Sequence, residues 1–177
     1  MRDRYIYLAS SLPYLQLHNP PSFGLEEFLD VCLSLVDERE LELLKLIPDI
    51  DYSLLHPDFP VVLRQWCEFE GSLRNELVQP RALRKKIDPQ KYIRPDYQSA
   101  PHITHVAMSA YRNTSIIDAE HFLDGQRWDF LDGLSFGHYF DFDFLIIYTL
   151  KLIILKRWKI INSADKRELF NQAYNIT

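Results

Sequence analysis

The chain has 177 residues, of which 47% are hydrophobic, and a formal net charge of −5 at neutral pH. That is enough apolar material for one ordinary domain, or two small lobes, without metal or disulfide staples. The acidic balance repels polyanions, so no nucleic-acid partner is expected, and any polyanion would need a local basic patch.

The N-terminus, MRDRYIYLASSLPYL, starts basic, but its apolar run is short and stops at Pro13, so a secretory leader is not expected. Tyr5 to Leu12 is too short for periodicity to separate a helix from a buried strand, and a short helix is preferred. Pro20 and Pro21 break the chain. Ser22 can then cap a helix in which Leu25, Phe28, Leu29, Cys32 and Val36 recur at helical spacing, to about Val36. A second helix follows at once: Asp37 and Glu40 make a D-x-x-E capping box, Leu41, Leu44 and Ile47 form the stripe, and Pro48 ends it. The pair is expected as a hairpin. Cys32, like Cys67 further on, lies in an apolar-periodic segment outside any CxxC pair, which predicts reduced core thiols and a cytoplasmic setting.

Prolines 48, 57 and 60 mark a loop. Pro60 then suits the first helical position, and Val62, Trp66, Phe69, Leu73 and Leu77 repeat at helical spacing until Pro80 interrupts them. The basic turn Arg81 to Lys86 continues this helix or kinks away from it. Residues 88–101 hold three more prolines and form the best internal boundary, giving lobes 1–87 and 102–177 or one continuous domain. A short helix, His102 to Arg112, and a longer one capped by Ser115 with Asp118 come next. Gly133 and Gly137 bracket a turn.

Asp141 to Asn162 is the stretch around which the rest is organised. Apolar side chains between 142 and 161 occupy nearly every sector of a helical wheel, the pattern of a buried helix. Asp141 is its N-cap and Asp143 adds a first-turn carboxylate, while Lys156, Arg157 and Lys159 complement the dipole at the other end. A membrane span needs about 20 apolar residues, whereas the uncharged run from Phe144 ends at Leu150, so no transmembrane segment is expected. In the tail, Ser163 can cap a last helix packed through Leu169, Phe170, Ala173 and Tyr174. The predicted fold is all-α, a multi-helix bundle around the buried helix 141–162.

Chemistry is sparse. His102 and His105 stand three apart and His121 follows, but without an H-E-x-x-H form or a nearby cysteine they read as ordinary histidines and no metal is expected. Arg64–Glu68 and Glu70–Arg74 have the four-residue spacing of plain helical ion pairs. No G-x-x-x-x-G-K-[ST], G-x-G-x-x-G or G-x-S-x-G pattern occurs, and five glycines leave little loop to cradle a phosphate. No catalytic residue and no cofactor are expected. The basic clusters Arg81–Arg84–Lys85–Lys86 and Lys156–Arg157–Lys159 are either solvated helix ends or contacts for acidic or phosphate-bearing partner surfaces, lipid headgroups included. Because Trp158 sits among three cations, Lys156, Arg157, Trp158 and Lys159 are the candidate partner-binding residues.

LASSLPYL at 8–15, LRNEL at 73–77, RA at 81–82 and RWDFLDGLSFGHYFDFDFLIIYTLKLIILKRW at 127–158 give a sequence that resembles the bacterial family DUF2764 over most of its length. Members of that family tend to be encoded beside components of V-type (archaeal-type) rotary ATPases. The C-terminal helix is also similar to a helix of the V-type stalk-to-rotor coupling component, an all-helical funnel that joins the central stalk to the membrane rotor ring and has no catalytic residues. The resemblance implies a non-enzymatic, cytoplasmic-side component or assembly partner of a V-type ATPase or ATP synthase. Such a protein would reach the inner membrane only through stalk and rotor-ring partners, as a shortened funnel or one arm of it. The competing readings are a soluble helical enzyme with a site among Arg64, Glu68, Arg74 and the histidines, and an unrelated helical adaptor.

Overall fold

Seven α-helices make up the regular structure of the described residues in this computed structural model, together with two short 3-10 turns: α1 (Arg2–Ser11), α2 (Leu25–Cys32), α3 (Glu38–Leu46), α4 (Val61–Lys85), α5 (Pro101–Arg112), α6 (Ile116–Leu134) and α7 (Phe142–Ser163). The described residues are 2–19, 21–50, 57–94, 97 and 100–163. Among them there is no strand, and Tyr5 to Ser11 is helical. The tail helix expected beyond Ser163 lies outside the described residues.

Helix α7 is central. It packs against α1, α2, α3, α4 and α6, and Leu145, Ile146, Ile147 and Leu150 are buried on consecutive faces. A helix this apolar must be surrounded, because each exposed methylene would forgo about 0.8 kcal/mol of transfer free energy. Thr149 is also buried, and its hydroxyl donates back to the Leu145 carbonyl at 2.8 Å, so no polar atom is stranded there. Asp141 caps the helix, accepting the Phe144 N–H at 2.9 Å. The segment after α1 is pinned on α7 by Tyr148, whose hydroxyl donates to the Pro13 carbonyl at 2.9 Å. The apolar core is one cluster that includes Leu8 of α1 and Trp158 of α7. Cys32 and Cys67 lie inside it as free thiols, and burial pushes them up to about 12 and about 11, which keeps them protonated and inert.

Several local expectations shift. Helix α2 is capped at Gly24 rather than Ser22: the Gly24 N–H donates to the Glu27 carboxylate at 2.9 Å. It ends at Cys32, four residues short of Val36, which is nevertheless buried. Asp37 does precede α3 but its side chain makes no cap bond, and Glu40, the expected partner in the box, instead accepts a hydrogen bond from the Tyr5 hydroxyl of α1. Pro60 is the residue before α4 rather than its first. Pro80 lies inside α4 without ending it. The missing N–H deprives only the Glu76 carbonyl, and burial of Leu77, Pro80 and Ala82 around it offsets a cost of about 3 kcal/mol. The helix stops at Lys86, whose φ of 54° is left-handed.

After α4 the chain is held down by side chains rather than by helix. Asn75 of α4 donates its amide to the Arg94 carbonyl at 2.8 Å and accepts the Arg94 N–H at 2.9 Å. Tyr97 is buried against Gly71, where a Cβ would stand 2.4 Å from the ring. Only a residue without a side chain permits this close approach.

Candidate functional site

The four residues singled out at the end of α7 diverge in space. Lys156 and Lys159 share one helix face with Leu152, Leu155 and Ile160, and this face forms a wall of a groove of about 770 Å³ whose other wall is the 21–27 segment. Both lysines are exposed. Lys156 comes within 3.6 Å of Glu26, a solvent-exposed pair worth about 0–1 kcal/mol. The Glu27 carboxyl is held below its usual range by the backbone N–H groups of Glu27 and Gly24, with Lys159 adding to the effect. The groove therefore has an apolar floor and mixed charge at its rim.

Arg157 and Trp158 turn the other way, to Asp124. This α6 carboxylate is fully buried and accepts from three donors. The Trp158 indole N–H reaches Oδ2 at 2.7 Å, Arg127 Nη1 reaches Oδ1 at 2.9 Å, and Arg157 Nη2 bonds the same oxygen. Arg127 continues the network to α4, forking onto Glu70 through Nε and Nη2. Burial opposes the charge on Arg127, but Glu70 and then Asp124 outweigh it and hold the guanidinium ionised. The His121 ring stacks on Trp158 with centroids 3.5 Å apart. Nearby, Lys151 pairs with Asp132 and lies 5.0 Å over the Trp128 ring.

Two carboxylates and two guanidinium groups thus cancel at the junction of α4, α6 and α7. Such a network adds little net stability over an apolar packing, but it fixes how three helices register, because each partner is costly to leave unmatched. Glu70 pairs with Arg127, not with Arg74 as the spacing within α4 implies. Asp124 is not among the residues that the sequence singles out, and the available signal is its phase with Trp128 and Leu131 on the buried stripe of α6.

The remaining sequence features disperse. His102 and His105 are exposed on α5, and His121 is stacked on Trp158. Among the described residues, no group of three or more His, Cys, Asp or Glu side chains could hold a metal ion. No helix among them is long and apolar enough to cross a membrane.

The described residues thus form an all-helical fold in which an ionic junction sets the end of the central helix. Residues 107–175 match the model of the family described as Protein of unknown function (DUF2764). The match takes in the block at 127–158, whereas the elements at 8–15, 73–77 and 81–82 fall outside it. No curated protein and no solved structure matches the chain.

Proposed function

We propose that this chain is a non-catalytic component or assembly partner of a bacterial V-type rotary ATPase or ATP synthase, akin to the helical funnel that joins stalk to rotor, docking on central-stalk or rotor-ring components from the cytoplasmic side. The observation that carries the proposal is the match of residues 107–175 to the family whose resemblance implies that setting. The geometry adds a division of labour among the four residues near the end of α7. Arg157 and Trp158 hold the helix end on Asp124, and Lys156 and Lys159 present flexible point charges beside an apolar groove. Exposed charges guide encounter more than they add affinity.

The test is the association rate of the purified chain with stalk and rotor-ring subcomplexes, for the wild type and the Lys156→Glu/Lys159→Glu variant. Docking through this face predicts association slowed about tenfold or more at low salt, with the wild-type rate falling as salt rises. The sequence places both lysines at the helix end, but α7 runs on to Ser163 with no basic residue in its last turn, so they do not complement the dipole. Both are exposed, and the reversal should cost only about 0–1 kcal/mol of stability per site. Equal rates for the two folded proteins, or no association with either subcomplex, would overturn the assignment.

A further inference from the structure

A second concavity lies against the Glu70–Arg127 pair and is dominated by guanidinium groups. A cleft of about 520 Å³ opens between α4, α6 and the segment that follows α4, a volume within the roughly 300–1,000 Å³ range of small-ligand sites. Its lining carries four arginines, Arg74, Arg81, Arg94 and Arg127, and two carboxylates, Glu70 and Glu120. Glu70 is already matched by Arg127. In a chain of net charge −5 this is a local reversal of sign. Complementation of the α4 dipole accounts for Arg84 and Lys85 in the last turn, but not for Arg74, about three turns upstream.

The cleft is also preformed. Asn75 clamps the Arg94 backbone from both its N–H and its carbonyl, and Glu70 and Asp124 lock Arg127 in place. The wall at Arg94 and Arg127 therefore needs little ordering on binding, which leaves only the exposed side chains of Arg74 and Arg81 to settle on a ligand. Leu77, Val78 and Leu123 supply apolar surface, and Tyr92, 57% exposed, adds an aromatic ring. A single carboxylate is satisfied by one guanidinium fork, whereas a phosphoryl dianion has three oxygens and can take two or more. Side chains would do the cradling, so no glycine loop is needed.

We propose that this cleft binds a small phosphorylated molecule, with its phosphoryl group between Arg74 and Arg81 and its organic body against Tyr92 and the apolar surface. The proposal is independent of the docking role of Lys156 and Lys159.

Calorimetric titration of the full chain with phenyl phosphate is the direct test, with benzoate as the carboxylate control. Vesicles of phosphatidylcholine with and without phosphatidic acid test a lipid headgroup as the source of the phosphoryl group. Saturable phenyl phosphate binding is expected, weakened about tenfold or more in Arg74→Gln/Arg81→Gln, because each charge-assisted bond lost is worth on the order of one decade in affinity. Both arginines are exposed, so the unfolding midpoint of that variant should stay near that of the wild type. The Lys156→Gln/Lys159→Gln variant should bind as the wild type does. Absence of saturable binding would overturn the proposal. So would benzoate binding as tightly as phenyl phosphate, equal loss in the two double variants, or binding seen only with phosphatidic acid vesicles.

Discussion

Helices α4 and α7 are the two longest among the described residues, and they keep their places by opposite means. Helix α7 is held mainly by bulk: its apolar side chains face neighbours in nearly every direction, and its buried ionic contact is confined to the last turns. Helix α4 is held by exceptions, with Gly71 admitting the Tyr97 ring, Asn75 clamping Arg94, Glu70 reaching Arg127 and Pro80 riding inside the helix. Excess hydrophobicity thus tells where a helix lies, and isolated polar or glycine residues tell what crosses it.

The sharpest way to break this contrast is at Asp124, the fully buried carboxylate that meets both Arg157 and Trp158 of α7. Asp124→Ala leaves Arg127 Nη1 and the Trp158 N–H without their buried acceptor, although Glu70 still pairs the guanidinium, and should cost about 3–5 kcal/mol, read from denaturant unfolding. Because Arg157 is 42% exposed and can turn to water, the lower part of that range is expected. A loss under about 1 kcal/mol would mean that packing alone fixes the end of α7. Leu150→Ala probes the bulk directly, with an expected loss of about 2–5 kcal/mol set by how far the site collapses. Gly71→Ala should come third. The added methyl meets the Tyr97 ring, at a cost of about 1–3 kcal/mol, against roughly 1 kcal/mol gained by removing glycine from a helix interior. Combining it with Tyr97→Ala should abolish the clash, so a non-additive double variant is the signature to look for.

What could be read in advance follows the same division. The span of α7, its Asp141 cap, the Ser115 cap of α6 and the apolar stripe of α4 all depend on residues within one or two turns, and all are present. Glu40 and Glu70 have the spacing of local partners but are claimed by Tyr5, 35 residues away, and by Arg127, 57 residues away. Local spacing offers a carboxylate a weak, solvent-screened pair, and a tertiary contact in a half-buried place readily outcompetes it. The Lys156 to Lys159 run shows the limit most clearly. Composition marks it as one basic cluster, yet the roughly 100° step between helical residues sends Arg157 and Trp158 toward Asp124 and leaves Lys156 and Lys159 at the surface.

The Asn75 clamp carries a further consequence for the proline-rich connection. The Arg94 amide hydrogen is held by a side chain that is 5% exposed, so its exchange with deuterated solvent requires that α4 and this segment part. Amides in irregular segments usually exchange at close to the free rate, while those released only by larger openings are slowed in proportion to the opening free energy. Arg94 should therefore behave, in a residue-resolved exchange experiment, like an amide of the helical core, and Asn75→Ala should return it to the rapid class.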